Sequence, residues 1–223
     1  VVFRQSVSDV DFQASYASDL LNGSLPVESF YEHWSGLGPT PPGTTSNGYN
    51  SGYSYWYNND NSDPDTNLNL NISSILDNSH RAMVIGNPSY AGMYIGFEDD
   101  GLWRHYPYIH VPTLPTFSYT CIATGLSKIG FDPRCRGWYN LADTNRDQVI
   151  FTSPYNDVST GDVLITLAKA ILNTLGDLIA VVGADITITS LENSILDANI
   201  LSNGYTYLID NAKNLVVYPS LAR

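Results

Sequence analysis

The sequence predicts a strand-rich α+β domain with helices packed against a sheet, and three observations carry that reading. The runs 163–171 and 178–186 are dense in Val, Ile, Leu and Ala over strand-like lengths. The segments 3–21, 69–81 and 189–201 instead repeat their apolar residues at helical spacing. A hydrophobic content of 43%, with 12% aromatics, supplies enough apolar surface for a core and excludes a disordered chain.

Phe3, Val7, Val10, Tyr16, Leu20 and Leu21 mark an N-terminal amphipathic helix that stops at Asn22-Gly23. Residues 39–65, rich in Pro, Gly, Ser, Asn and Tyr, read as a long insertion without helical or strand periodicity, its aromatics implying that it packs on something. Leu70, Ile72, Ile75 and Leu76 belong to a second helix over 69–81. Strands are expected near 93–97, 102–106, 117–124, 149–151, 163–171, 178–186 and 205–209. A last helix near 189–201 carries Ile188, Leu191, Ile195, Leu196 and Ile200 on one face.

Charge is sparse: 14% of the 223 residues are charged, and 22 acids against 10 bases leave a net charge of −12. A phosphate backbone demands a basic face, so nucleic acid is excluded as a partner, and an anionic membrane surface would repel the chain. Low charge with abundant Asn, Ser, Thr, Tyr and Gly fits a secreted protein. Two sequons, Asn22-Gly23-Ser24 and Asn71-Ile72-Ser73, are candidate glycosylation sites. The two cysteines, Cys121 and Cys135, are either free thiols or a disulfide contributing about 3 kcal/mol in an oxidising compartment. With no apolar run near 18 residues, no leader-like start and Val1 in place of Met, the chain reads as a piece of a longer protein.

The most informative stretch is Phe131-Asp132-Pro133-Arg134-Cys135-Arg136-Gly137-Trp138-Tyr139, a loop bending into a strand or short helix. A guanidinium beside an indole suits a planar carboxylate, because Arg grips both oxygens at once. Equally, Trp138 and Tyr139 fit as core aromatics with the arginines paired to surface Asp, and these nine residues alone leave both readings open. Phe151-Thr152-Ser153-Pro154-Tyr155-Asn156-Asp157 follows, then the strand end Val181-Val182-Gly183-Ala184-Asp185-Ile186.

Together with the segments 92–104 and 203–210 and with Val217-Tyr218-Pro219, this order resembles the extracellular double-Cache sensor domains. Such domains occur in bacterial chemoreceptors, histidine kinases and the α2δ subunits of calcium channels, and the likeness covers roughly residues 70–223. It implies a PAS-like antiparallel sheet and a long N-terminal helix. It also implies an N-terminal helical segment over 1–38, the insertion over 39–68, a ligand-binding subdomain over 69–202 and the start of a truncated second subdomain over 203–223.

In amino-acid-binding members of that family an Arg and a Trp two residues later hold the ligand carboxylate. A Tyr beside that Trp, a Tyr in the SPY-like loop and a strand-end Asp hold its ammonium. By position the resemblance implies Arg136, Trp138, Tyr139, Tyr155 and Asp185 as ligand-binding residues. The chemistry is coherent: a zwitterion needs a cation and an anion a few ångströms apart in a partly dry cavity, with rigid aromatic walls. Two positions depart from the pattern. Phe131 replaces a Tyr, removing a hydrogen bond of about 0.5–1.5 kcal/mol, and Gly137 replaces a Pro, loosening the loop. Asp185 also fits as a cap for the helix near Thr189, and Tyr155 as a turn aromatic. Arg134 is expected to be structural, paired with Asp132 or Asp157.

Asp143-Thr144-Asn145-Arg146-Asp147 begins like a calcium loop, but Gln148 and Asn156 stand where Gly and Glu belong, so it reads as a polar turn. Asp60, Asp63 and Asp65 form a second weak carboxylate cluster. The four histidines lack zinc spacing, and no phosphate-loop, nucleophile-elbow or dinucleotide motif is present. The expectation is therefore no enzyme, no metal and no cofactor. One function is an extracellular module sensing an amino acid or related carboxylate, read out by a membrane-linked or downstream part. The other is a structural glycoprotein building block of a cell-surface or filamentous homo-oligomer, or an α2δ-like accessory subunit, that keeps the scaffold without sensing.

Overall fold

The computed structural model describes residues 2–24, 47–50, 53–56, 69, 72–107, 118–120, 127–129, 132–158, 160–196, 207–209, 213 and 215–217. Helix α1 (Val2–Leu21) is followed by strands β1 (Asn47–Asn50) and β2 (Tyr53–Trp56), helix α2 (Asp77–Gly86), β3 (Tyr90–Phe97), β4 (Trp103–Tyr106), β5 (Ser118–Thr120) and β6 (Ser127–Ile129). A 3₁₀ turn (Pro133–Cys135) leads into α3 (Gly137–Thr144), then β7 (Ile150–Phe151), β8 (Tyr155–Asn156), β9 (Val163–Leu172), β10 (Leu178–Thr187), α4 (Ile188–Leu196), β11 (Leu208–Ile209) and β12 (Leu215–Val217). Eight strands form one antiparallel sheet in the order β1-β2-β4-β3-β10-β9-β7, with β8 also on β9. The pairs β5–β6 and β11–β12 stand apart from it.

The α+β class with an antiparallel sheet and a long first helix is as the sequence predicts. One part differs. The insertion expected to lack strands contains β1 and β2, which extend the sheet beyond β4. Tyr49, Tyr53, Tyr55 and Tyr57 do alternate around Asn50-Ser51-Gly52, but aliphatic residues are absent from both runs, so the usual strand signal is weak. The second helix also runs on to Gly86 rather than stopping at residue 81.

The main core lies on one face of the sheet. Val10, Ala14, Ala17 and Leu20 of α1 pack with Met93, Ile95 and Phe97 of β3, Ile165, Leu167 and Ile171 of β9, and Ala180, Val182, Ala184 and Ile186 of β10. Leu76, Leu191 and Val217 close the same core, so the helix before β3, α4 and β12 share it. Lys169 of β9 pairs with Asp11 of α1 at its edge. On this face Arg104 of β4 is fully buried and grips Asp77 of α2 with both Nε and Nη2. Asn22 donates its side-chain amide, the atom a glycan would need, to Ser18 and to the Leu172 carbonyl, each at 3.1 Å. Asn71 lies outside the described residues.

Candidate functional site

Period-two alternation sends the intervening residues of the same strands to the opposite face. There Tyr94, Trp103, Trp138, Tyr139, Ala142, Ile150, Ala168 and Val181 form a second, aromatic cluster beneath α3. Two glycines make the room. Gly183 lies opposite Tyr94 in register, and a Cβ on it would come within 2.3 Å of the Tyr94 ring. A Cβ on Gly96 would come within 2.7 Å of Pro133, which starts the turn into α3. Tyr94 therefore lies across β10, its ring centroid 4.9 Å from that of Trp138 and 5.5 Å from that of His105.

The Tyr94 hydroxyl donates to Asp185 Oδ1 at 2.7 Å, and Thr166, opposite Asp185 in register, donates to the same oxygen at 2.6 Å. The single Thr166 proton is thereby committed, so Tyr155 donates to Thr166 Oγ1 at 2.7 Å. Neither hydroxyl engages Oδ2, which leaves that oxygen for a further donor. Burial pushes the Asp185 carboxyl up to about 7; its two hydroxyl bonds oppose the rise, Asp157 adds to it, and Arg136 opposes it. Burial, then the Asp185 charge, likewise raises Tyr155, while Arg136 lowers it. Arg136, Asp157, Tyr155 and Asp185 thus lie within electrostatic reach of one another.

Arg136 is the N-cap of α3, with φ −94° and ψ 147°. Between the start of this helix and segment 152–155 opens a cleft of about 440 Å³, whose walls include Arg136, Trp138, Leu141, Pro154 and Tyr155. Tyr155 joins cleft and sheet: its ring lines the first, and its hydroxyl leads through Thr166 to Asp185.

Of the five expected site residues, Arg136, Trp138 and Tyr155 meet at this cleft, with Asp185 two hydrogen bonds behind Tyr155, through Thr166. Tyr139 is placed otherwise: it is buried, and its hydroxyl donates to Glu98 Oε2 at 3.0 Å. Asp185 does not cap the following helix; Thr187 Oγ1 does, accepting from Ser190 N at 3.1 Å. Arg134 is structural as expected. It is buried, bidentate to Asp132 through Nε at 3.0 Å and Nη2 at 2.8 Å, and it donates to the Glu98 and Asp99 carbonyls. That latch ties the β3–β4 turn to the loop carrying Arg136. Cys135 is disulfide-bonded; Cys121 and Phe131 lie outside the described residues.

Sequence reasoning missed Tyr94, Thr166 and the charge of Asp157. Tyr94 carried a weak signal, alternating with Gly92 and Gly96 beside aliphatic Met93 and Ile95. Thr166 was invisible, because only strand register brings it to Asp185. His105 and His80 are both buried. Burial lowers His105 to about 4, although its Nδ1 donates to the Pro107 carbonyl. Burial, then the Arg104 and His105 charges, lower His80 to about 3. Both rings are therefore neutral at pH 7. Asp143 of the calcium-like turn is bound by Arg146, and no metal-ligand cluster occurs among the described residues.

Known proteins resemble this chain in sequence and in fold. McpC, a methyl-accepting chemotaxis protein of Bacillus subtilis, is 37% identical over 90 residues, which are 40% of this chain and 14% of that protein. The methyl-accepting chemotaxis protein PscA of Pseudomonas syringae is 33% identical over 98 residues, 44% of this chain and 15% of that protein. The chain thus spans about a seventh of the length of these curated relatives. Among solved structures, the ligand-binding domain of the Pseudomonas fluorescens chemoreceptor CtaA in complex with L-serine superposes with a TM-score of 0.51 at 24% identity. That superposition covers 72% of this chain and 57% of the other, and it shows the shared fold. Residues 76–193 match the family described as methyl-accepting chemotaxis protein-like, first PDC sensor domain. The chain belongs to this sensor-domain family, the group to which its Cache-like motifs pointed.

Proposed function

We propose that this chain is the sensing part of a chemoreceptor and binds a free amino acid on the extracellular side of the membrane. The ammonium would sit between Asp185 Oδ2 and Asp157, and the carboxylate against Arg136 and the Trp138 indole. The observation that carries the proposal is the Asp185 cluster. A partly buried carboxylate takes two hydroxyls on one oxygen, keeps the other available, and stands within electrostatic reach of a guanidinium beside an aromatic-walled cleft. That is a site for a small molecule bearing both charges. Solved relatives of the fold carry such ligands: the CtaA domain was crystallised with L-serine and with L-valine.

The proposed organisation keeps residues 69–202 as the sensing subdomain, with α1 and the β1–β2 segment supporting its sheet. Residues 203–223 would start a second subdomain continued beyond the chain. Enzymatic activity is not part of the proposal, since the site holds a charge pair and no nucleophile with a base. The filament and channel-accessory alternatives have no observation favouring them.

A thermal-shift and calorimetric screen of the purified chain against the twenty amino acids tests the proposal. A ligand at a hundredfold its Kd stabilises the fold by about 2.7 kcal/mol, a shift of several degrees. The shift should vanish in Arg136→Ala and Asp185→Asn. A flat panel with folded protein would overturn the amino-acid reading.

A further inference from the structure

We infer that the ligand's side chain is apolar, seated between Trp138, Leu141 and Pro154. This specificity rests on the amino-acid reading above. Trp138 and Leu141 are three residues apart on α3 and so share a face. Trp138 is buried against Tyr94, whereas Leu141 keeps 37% of its surface in solvent on the cleft wall. A leucine left exposed on an otherwise anchored helix, lining the same opening as Pro154, is an apolar wall awaiting an apolar group.

Polarity fixes the kind of group. Arg136 is the one charged residue on the described lining of the cleft; the other walls are Gly137, Trp138, Leu141, Thr152, Ser153, Pro154 and Tyr155. An ammonium, carboxylate or amide at the Leu141 end would lose water against a lining that is chiefly apolar, with the Thr152 and Ser153 hydroxyls as its nearest polar side chains. Each buried methylene, by contrast, tightens binding about fourfold.

Calorimetric titration with alanine, 2-aminobutyrate, norvaline, norleucine, methionine, glutamine and lysine tests this. Kd should fall about fourfold per added methylene from alanine to norvaline. Glutamine and lysine should bind at least tenfold more weakly than methionine, their apolar counterpart of similar length. Leu141→Ala, at a half-exposed site that folding tolerates, should shrink the gain of norleucine over alanine. Alanine binding as tightly as norleucine, or lysine and glutamine matching methionine, would overturn this inference while the amino-acid reading stands. No binding by any member would overturn this inference, and the amino-acid reading falls only if the full twenty-member screen is flat as well.

Discussion

The two faces of the sheet are written by alternate residues of the same strands, yet they do different work. On β10, Ala180, Val182, Ala184 and Ile186 are fully buried against α1 and its neighbours, while Val181, Gly183 and Asp185 face the aromatic layer. Each face holds a charged group, handled in opposite ways. Arg104, on the helical face, is bidentate to Asp77. Asp185, on the aromatic face, is met among the described residues by two hydroxyls on one oxygen, and burial raises its carboxyl to about 7. A charge that is matched internally stabilises an arrangement. A charge left incompletely matched costs stability and is retained for a partner from outside.

The largest effect should follow from unmatching the first charge. Asp77→Ala leaves the Arg104 guanidinium buried without its carboxylate and should cost about 3–5 kcal/mol. It would be read as a lower urea midpoint at an unchanged slope. Amino-acid affinity of the remaining folded protein should hold, because Arg104 points away from the cleft. A variant as stable as the wild type would remove the distinction between the faces.

On the aromatic face the same experiment should give the opposite sign. The Asp185 carboxyl is raised from 3.8 to about 7, so the unfolded chain ionises first. Its contribution to folding is therefore most favourable below about pH 4, declines as pH rises to about 7, and is constant beyond. Asp185→Asn should consequently gain stability relative to wild type across that window, as chemical denaturation at several pH values would show. An ammonium ligand needs the ionised form, so affinity should weaken about a hundredfold from pH 8 to pH 5. Burial chiefly sets that midpoint; the Thr166 and Tyr94 hydroxyls lower it, Asp157 raises it and Arg136 lowers it. A pH-independent Kd would mean that the ammonium sits elsewhere.

Gly183→Ala probes how the aromatic layer is built. The added methyl collides with the Tyr94 ring, which is packed on His105 and Trp138 and has little room to yield. A loss of about 1–3 kcal/mol is expected, together with weaker ligand binding as the Tyr94 hydroxyl leaves Asp185. Loss of stability with unchanged affinity would show that Tyr94 supports the sheet and not the site.

How much of this was legible in the sequence follows the same division. The helical face announces itself through aliphatic periodicity, so α1, β3, β9, β10 and α4 fall where their patterns place them. The aromatic face does not, since its partners meet through strand register: Thr166 meets Asp185 across the β9–β10 pair, and Tyr94 meets Gly183 across strands far apart in sequence. Arg136, Trp138, Tyr155 and Asp185 were reachable only through motif order. Tyr139 shows the limit of that route, since a position in a motif does not say which way a helix turns its phenol. The β1–β2 hairpin was missed because tyrosine, serine and asparagine alternate there in place of valine and isoleucine.

The smallest effect concerns Gly137, where the chain departs from the family's proline. It is the first residue of α3, a position where proline's missing N–H is no loss and its fixed φ suits the helix. A Cβ there meets no atom within 4 Å, and Arg136 before it already holds the extended backbone that a following proline requires. Gly137→Pro should therefore stabilise the fold by about 0.4–1 kcal/mol, mainly by restricting the unfolded chain. It should also tighten ligand binding slightly, because it fixes the backbone that presents Arg136 to the cleft. The calorimetric signature is a less unfavourable binding entropy with little change in enthalpy. A gain in melting temperature with weakened binding would mean that the site needs the freedom the glycine provides, and that the departure from proline at this position is functional and not a loosening of the loop.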